Sequence, residues 1–282
     1  MGSGAPAAVA PAAVRTRASL VWVEGPDAER FLQGLLSNDV AALAPGDAVP
    51  ALLLDDRGHI VADMRVLREG PAAFTLVLDP AAAQGVADLL TRYHFSEDLE
   101  LLGPEPADTL VVTAAPPAGT TALPGHVPGT WELLVDDVDA ALRAAGLPEA
   151  PAGALEALRV ERGAPRVGVD TGPRTLVQEA GLTERAVSFT KGCYLGQETV
   201  ARAQHRGRVN RVLRGLASPS ALTPGAEVRA DGRVVGTVGS VAHSPRFGHV
   251  ALAILRREVP PGADVWVDGL TGTACVVELP FR

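Results

Sequence analysis

The strongest constraint on the fold is the glycine spacing in the C-terminal part of the chain. From Arg211 onward, short strand-like runs are interrupted by glycine at close intervals. The turns expected from this spacing lie at Asp231-Gly232, Gly236, Gly239, Gly248 and Gly269. Short strands separated by such turns are typical of a small β-barrel. The pattern predicts a separate β-barrel domain over residues 211–282, with Cys275 in the core of its last strand.

The region before residue 211 mixes helical and strand patterns. Phe31, Leu32, Leu35 and Leu36 recur at helical spacing, and the run that begins at Pro80 also has helical character. The stretch between them alternates like strands joined by glycine turns, and "AVSFT" at 186–190 has strand character. The fold class expected is α+β over residues 17–210. Residues 1–16 are rich in Ala and Pro, which predicts a disordered tail.

Charge and composition exclude several classes of protein. The net charge of −8 and the pI near 5.3 argue against a protein that coats nucleic acid generally. Two widely separated cysteines and scattered histidines have no ligand spacing, so no metal site is assigned, and a reducing compartment is expected. The longest uncharged stretch, residues 109–131, contains four prolines and cannot form a membrane helix. We expect a monomeric cytoplasmic protein without membrane association.

The chemistry expected of the chain is concentrated around its single lysine. Lys191 stands two residues before Cys193, in a chain whose other 24 basic Lys/Arg positions are all arginine. Cys193 lies in a turn flanked by Gly192 and Gly196, just before a predicted helix, where the helix dipole and an ammonium group favour a thiolate. In an extended segment, Lys191 and Cys193 would point to the same side. The glycines would let a planar ligand approach, and Tyr194 could stack on it.

A structural interpretation competes with this one. A lone cysteine is more often a small buried hydrophobic residue than a nucleophile, and a glycine turn before a helix is usually only a turn. His205 lies three helical turns beyond Cys193, about 18 Å along the axis, so a Cys–His pair is not expected.

A basic run follows the turn in this acidic chain. Its members are Arg202, His205, Arg206, Arg208, Arg211 and Arg214. One interpretation is a solvated helix face. The other is a site for carboxylates or phosphates, including an RNA backbone docked along Arg202 to Arg214.

The stretch "KGCYLGQE", followed by "VARAQHRG", resembles the signature of the YgfZ-type folate-binding proteins. These are similar to the T-protein (aminomethyltransferase) of the glycine cleavage system. "GPDAERFLQGLLSNDVAALAPGD", "LRVERGAPRVGVD" and "GTVGSVAHSPRFGHVALAIL" extend the resemblance over most of the chain. The resemblance implies a T-protein-like ring around a central channel, in which a subdomain at about 49–147 interrupts the 17–210 region. It also implies that tetrahydrofolate or a derivative is the cofactor.

The resemblance further implies site residues. Glu132 in "TWEL", with Trp131 before it, matches the glutamate that contacts the pterin ring, a role suited to a carboxylate accepting two parallel N–H bonds. In the motif, Lys191 and Cys193 would form the functional centre. The cofactor-binding residues expected beside them are Gly192, Tyr194, Gly196, Gln197, Glu198 and Arg202.

Three positions depart from the family pattern. Leu155 stands where T-proteins carry Arg and some YgfZ-type proteins Trp, and Val177 stands where Pro is usual. After "FTLVLD", Asp79 and Asp88 flank the place of the T-protein catalytic carboxylate, and neither occupies it. Ordinary aminomethyl transfer is therefore not expected.

Three functions remain open from the sequence. The leading hypothesis is a folate-binding accessory factor that assembles or repairs iron–sulfur proteins, including enzymes that modify tRNA, with those enzymes or assembly factors as partners. The alternatives are a folate-dependent methyl or aminomethyl transferase and a non-catalytic interaction module. A single thiol cannot build a four-thiolate cluster site, so any cluster contact would be transient or shared.

Overall fold

The computed structural model describes residues 11–207 and 209–282, except for the side chain of Arg206. The expected disorder of residues 1–10 and the roles of the Arg206 side chain and Arg208 lie outside the described residues. Residues 13–16 are not part of a disordered tail, because the first strand already begins at Ala13. Ala13 and Val14 are buried, and the Ala13 amide donates to the Pro148 carbonyl.

A seven-stranded antiparallel sheet forms the first part of the chain. Its strands are β1 (Ala13–Glu24), β2 (Ala48–Leu54), β3 (Ile60–Gly70), β4 (Ala73–Leu78), β5 (Glu100–Val112), β6 (Ala122–Pro124) and β7 (Trp131–Leu134). Their spatial order is β2-β3-β4-β1-β5-β7-β6. The central strand β1 therefore lies outside the range expected for the inserted subdomain. The inserted subdomain expected at about 49–147 therefore shares one sheet with β1, and its boundary near residue 49 does not divide the strands into two sheets.

The described part of the chain also contains six α-helices. They are α1 (Ala28–Leu35), α2 (Pro80–Tyr93), α3 (Val138–Ala145), α4 (Ala152–Arg162), α5 (Thr183–Ala186) and α6 (Gln197–Arg206). An apolar core lies between the sheet and helices α1 and α2, and it contains Phe31, Leu32 and Leu90 of the helices together with Leu76 and Leu78 of β4. The helical spacing at Phe31 and Leu32 is thus explained by burial. No helix in the described part of the chain is long and apolar enough to cross a membrane.

The C-terminal region is a closed six-stranded barrel, which confirms the barrel expected from the glycine spacing. The turns expected at Gly236 and Gly239 are wrong, because both residues lie within one strand. Its strands are β8 (Arg211–Ser218), β9 (Glu227–Ala230), β10 (Arg233–Ser244), β11 (Gly248–Arg256), β12 (Asp264–Val267) and β13 (Thr273–Val277). Cys275 was wrongly expected in the barrel core. Its neighbours Ala274 and Val276 are buried there, so alternation places the half-buried Cys275 on the opposite face.

A buried ionic cluster joins the barrel to α4. The fully buried carboxylate of Asp170 accepts from the Ser240 amide, from the Ser240 hydroxyl at 2.9 Å and from Arg159 Nη1 at 3.1 Å. A Cβ atom at Gly239 would collide with this carboxylate. These contacts fix the barrel against α4, the helix that forms one wall of the cavity described next.

Candidate functional site

A cavity of about 980 Å³ lies between one face of the sheet and helix α4. Alternating side chains of β3 face it, namely Val61, Asp63 and Arg65. Its other lining residues include Arg17, Asp79, Val111, His126, Glu132, Leu155, Glu156, Arg159, Arg166 and Val169.

The structure separates the predicted site residues into two groups. Glu132 and Leu155 line the cavity, as does Asp79. Of the described residues that line it, none belongs to the "KGCYLGQE" motif. Trp131 does not line it either, because successive residues of β7 point to opposite faces and Trp131 lies 40% exposed on the other one. Trp131 and the motif therefore lie outside the cavity that Glu132 lines, and their cofactor-binding roles stay predictions.

Glu132 is held by a buried ion pair. Its Oε2 atom accepts from Arg65 Nη2, and its Oε1 atom accepts from the Thr109 hydroxyl at 3.1 Å. The Arg65 and Glu132 side chains are only 9% and 7% exposed. Removing one partner of such a buried ion pair strongly destabilises the folded protein, because the other charge is left uncompensated. Glu132 is thus a fixed, oriented carboxylate in the cavity wall.

An Asp–His pair, Asp63 and His126, forms a second polar feature that sequence reasoning missed. His126 Nδ1 lies 3.1 Å from Asp63 Oδ2. Burial opposes ionisation of Asp63, but the hydrogen bond from His126 and the nearby guanidinium groups outweigh it and lower the pKa of Asp63. An ionised carboxylate only accepts, so Nδ1 donates and Nε2 is the remaining ring nitrogen. The cavity therefore does hold acids, even though none follows Asp79 at the position expected from the T-protein pattern.

The polar wall contains two unmet hydrogen-bonding atoms. Arg65 Nε and His126 Nε2 are shielded from solvent and have no partner among the described residues. Burying such an atom without a partner costs about 1–3 kcal/mol. A bound molecule that reaches these atoms would remove that cost.

The cavity suits a folate. A cavity of this volume accommodates a molecule of that size. A pterin ring needs carboxylates for its amino and ring N–H groups and apolar walls for its faces, which Asp63, Glu132, Val111 and Leu155 offer. Arg166 is half-exposed and pairs with Glu156 at 3.0 Å, so only its remaining N–H groups could serve the acidic tail. Leu155 adds neither a positive charge nor an aromatic ring to the cavity wall.

Lys191 contacts backbone carbonyls at the end of α1. Its Nζ atom donates to Gln33 O at 2.8 Å, to Leu36 O at 2.6 Å and to Asn38 O at 2.8 Å. These three bonds use all the protons of the ammonium, so none remains for a thiolate at Cys193. Burial lowers the pKa of Lys191 to about 8. A compact ammonium fits three converging carbonyls where a planar guanidinium would not, which gives a structural reason for lysine here.

Tyr194 does not lie at a ligand surface, contrary to expectation. Its ring is buried in a core with Leu52, Leu54 and Val177, and Lys191 Nζ lies 5.2 Å from the ring centroid. Burial raises the pKa of Tyr194 to about 12. The tyrosine and the lysine together anchor the loop, and they leave Cys193 exposed at its surface. The segment 187–190 before it is irregular, so the strand expected at "AVSFT" is wrong.

The two glycines of the motif differ. Gly196 has φ +78°, and a Cβ there would lie 2.5 Å from the Asp55 carbonyl oxygen. Gly192 has nothing within 4 Å of the same position. Gly196 is therefore required by the close approach of the turn at residues 55–58. A ligand is not needed to explain it.

Gly196→Ala is expected to lower the free energy of unfolding by about 2 kcal/mol or more, because both the left-handed backbone and the carbonyl contact oppose a side chain. Gly192→Ala is the matched control and should unfold at the wild-type denaturant concentration. Chemical denaturation of both variants measures the difference. Equal stability of the two variants would contradict the packing explanation for Gly196.

The remaining motif residues lie on or at the start of α6. Glu198 and Arg202 form an exposed i,i+4 ion pair, and Gln197 begins the helix. Arg211 pairs with Glu179, so part of the basic run is already neutralised. The described residues contain no group of three or more side chains suited to hold a metal ion. The cofactor roles of Gln197, Glu198 and Arg202 stay predictions.

Comparison with known proteins gives consistent results. A family model described as the GCVT N-terminal domain matches residues 16–110. The chain is 31% identical to the mitochondrial iron-sulfur cluster assembly factor IBA57 of Mus musculus, over 86% of this chain and 77% of that one. It is 29% identical to an aminomethyltransferase of Streptomyces coelicolor, covering 95% and 87%. It is 26% identical to the tRNA-modifying protein YgfZ of Klebsiella pneumoniae, covering 93% and 90%.

A solved structure has the same fold. The aminomethyltransferase T of the glycine cleavage system from Bartonella henselae superposes with a TM-score of 0.80 at 22% identity, covering 96% of this chain and 86% of that one. This likeness confirms the T-protein-like α+β architecture with its C-terminal barrel.

Proposed function

The chain belongs to the YgfZ-type family of GcvT-like proteins, and from that premise we propose that it is a folate-binding accessory factor for the assembly or repair of iron–sulfur proteins. Its clients include enzymes that modify tRNA. It acts in the cytoplasm as a monomer, with iron–sulfur enzymes or assembly factors as its partners.

The observation that carries the folate part is the cavity with its oriented carboxylates. Glu132 is fixed by Arg65, and Asp63 is kept ionised beside His126. Both acids are held in place before any ligand arrives, which lowers the entropic cost of binding. In this proposal Glu132 and Asp63 accept the pterin N–H groups, and Arg166 binds the acidic tail. Bound tetrahydrofolate would supply a carrier for a one-carbon unit.

Cys193 is the group through which the proposed factor meets its clients. It is an exposed free thiol on a loop anchored by Lys191 and Tyr194. Anchoring holds the thiol at one place on the surface, where it can reach an iron atom or a sulfur carrier of a docked protein. Because the thiol stands alone, the contact is transient or shared.

The test is the activity of iron–sulfur enzymes in cells from which the gene has been deleted. We expect these activities to fall on deletion and to return with the wild-type gene or with Cys275→Ser. Cys193→Ser should not restore them, although it should fold normally because Cys193 is exposed. Full restoration of these activities by Cys193→Ser would show that the thiol is not needed, and it would favour the interpretation of the protein as a non-catalytic interaction module.

A second candidate is folate-dependent aminomethyl transfer, which the Asp63–His126 pair favours. With Nδ1 donating to Asp63, His126 Nε2 is a potential proton acceptor in the cavity wall. The discriminating measurement is one-carbon transfer to or from tetrahydrofolate by purified protein. Transfer that is abolished by Asp63→Asn would support this candidate, and absence of transfer in wild type would exclude it.

A further inference from the structure

A second cleft lies at the C-terminal end of α6, against the first strand of the barrel. Its volume is about 350 Å³, and its walls are formed by Gln178, Ala203, Gln204, Gly207, Val209, Val212, Arg214 and Arg257. A neighbouring cleft of about 380 Å³ shares Val209 and Arg257 with it and adds Asn210, Arg256 and Glu258. The two clefts therefore adjoin, and together they are called the groove. Its arginines are Arg214 of the basic run and Arg256 and Arg257 at the end of β11. None of its described residues lines the large cavity.

The first cleft contains an unmet donor and an unmet acceptor. Arg214 Nε is buried and has no partner among the described residues, while Nη1 of the same side chain lies 3.6 Å from Glu278. Gln178 Oε1 is also buried and unpaired there. The amide orientation is fixed because Gln178 Nε2 donates to the Val200 carbonyl at 2.9 Å. A ligand that meets both atoms must offer an acceptor to Arg214 and a donor to Gln178.

The charge of the groove defines the acceptor. Arg257 is exposed and forms no ion pair with a described residue. Together with Arg214 it places two guanidinium groups at the first cleft, where forked donors suit phosphate oxygens. The apolar walls at Val209 and Val212 leave room for a sugar or base.

From these contacts we propose that the groove binds a ribose–phosphate unit, with phosphate oxygens at Arg214 and Arg257 and a ribose hydroxyl donating to Gln178 Oε1. The same chemistry is offered by a free ribonucleotide and by an RNA strand, and the adjoining second cleft has room for a following nucleotide. A hydroxyl donor at the 2′ position distinguishes ribose from deoxyribose.

The test measures binding of a fluorescent single-stranded RNA oligonucleotide, its DNA counterpart of the same sequence, and adenosine monophosphate as competitor. RNA should bind several-fold more tightly than DNA. Arg257→Gln should weaken RNA binding, and the slope of log affinity against log salt concentration should fall by the amount expected for about one phosphate contact. Arg92→Gln removes a guanidinium that is also exposed, on α2, and serves as the matched control, with wild-type binding expected.

The two sources of the ligand give different results. Competition by adenosine monophosphate at low concentration would identify a free nucleotide as the ligand, whereas RNA binding without such competition would identify a strand. Failure of RNA, DNA and nucleotide to bind would overturn the proposal. Equal binding of RNA and DNA, or equal effects of Arg257→Gln and Arg92→Gln, would overturn it as well.

Discussion

Replacement of Lys191 by Met is expected to lower the free energy of unfolding by about 3 kcal/mol, because a charged donor shared by three carbonyls is lost. Met keeps the apolar stem of the side chain and offers no donor. The carbonyls of Gln33, Leu36 and Asn38 would then lose their ammonium partner at the end of α1. Urea denaturation of the two proteins measures the difference.

Lys191→Arg separates shape from charge. A guanidinium keeps the charge but spreads its donors in a plane, so it should restore only part of the lost stability. If both variants were as stable as wild type and differed only in the alkylation rate of Cys193, the lysine would act on the thiol and the anchoring role would be refuted.

The same lysine gives a dependence of stability on pH. Burial lowers the pKa of Lys191 to about 8 from its ordinary value of 10.5. Between these values the unfolded chain binds more protons than the folded protein, so this group makes the folded state more stable as pH rises through that window. The Met variant lacks the contribution. The difference in unfolding free energy between wild type and variant should therefore increase with pH across this range, and a constant difference would contradict the lowered pKa.

Glu132→Gln is expected to cost about 3 kcal/mol of unfolding free energy, since removing one member of a buried ion pair leaves the other charge uncompensated. The amide conserves the size of the side chain and can still accept from the Thr109 hydroxyl. The loss would then be due to Arg65, which is only 9% exposed.

The matched control is Glu198→Gln. Its ion pair with Arg202 is exposed on α6, and such surface pairs contribute little to stability. Thermal or urea unfolding of both variants decides the matter. Similar small losses in the two would mean that water in the cavity already screens Arg65.

Local sequence patterns predicted the elements but not the role of the motif. The glycine spacing located the barrel, and Gly232, Gly248 and Gly269 have the positive φ that a turn favours. Gly236 and Gly239 instead lie within β10, where a side chain would collide with neighbouring atoms. The role of Lys191 could not be predicted in this way, since the carbonyls it binds lie more than 150 positions earlier in the chain. Its sequence neighbour Cys193 suggested a chemical pair, whereas the fold uses the lysine for anchoring. Tyr194 was misassigned for the same reason.

The cavity shows a similar division. The family resemblance singled out Glu132, which lies in the cavity wall, and strand alternation explains why Trp131 faces away from it. The contact of Glu132 with a pterin ring stays a prediction. Asp63 and His126 are separated by more than 60 positions, so no motif joins them. The alternation of Val61, Asp63 and Arg65 along β3 was the one sequence signal for this site. It indicates that the three side chains share a face of the sheet, but it does not show that α4 lies across that face.

The most direct test of a folate site in the cavity is a calorimetric titration of tetrahydrofolate into the purified wild-type protein and into Asp63→Asn, Glu132→Gln and Glu227→Gln. Glu227 is the control, because its ion pair with Arg229 is exposed on the barrel. Saturable binding is expected for wild type and Glu227→Gln, with affinity reduced by about tenfold or more in the two cavity variants, equivalent to about 1.4 kcal/mol or more. Circular dichroism confirms that each titrated variant is folded. Absence of binding to wild type, or equal affinity in all four proteins, would contradict a folate site in the cavity.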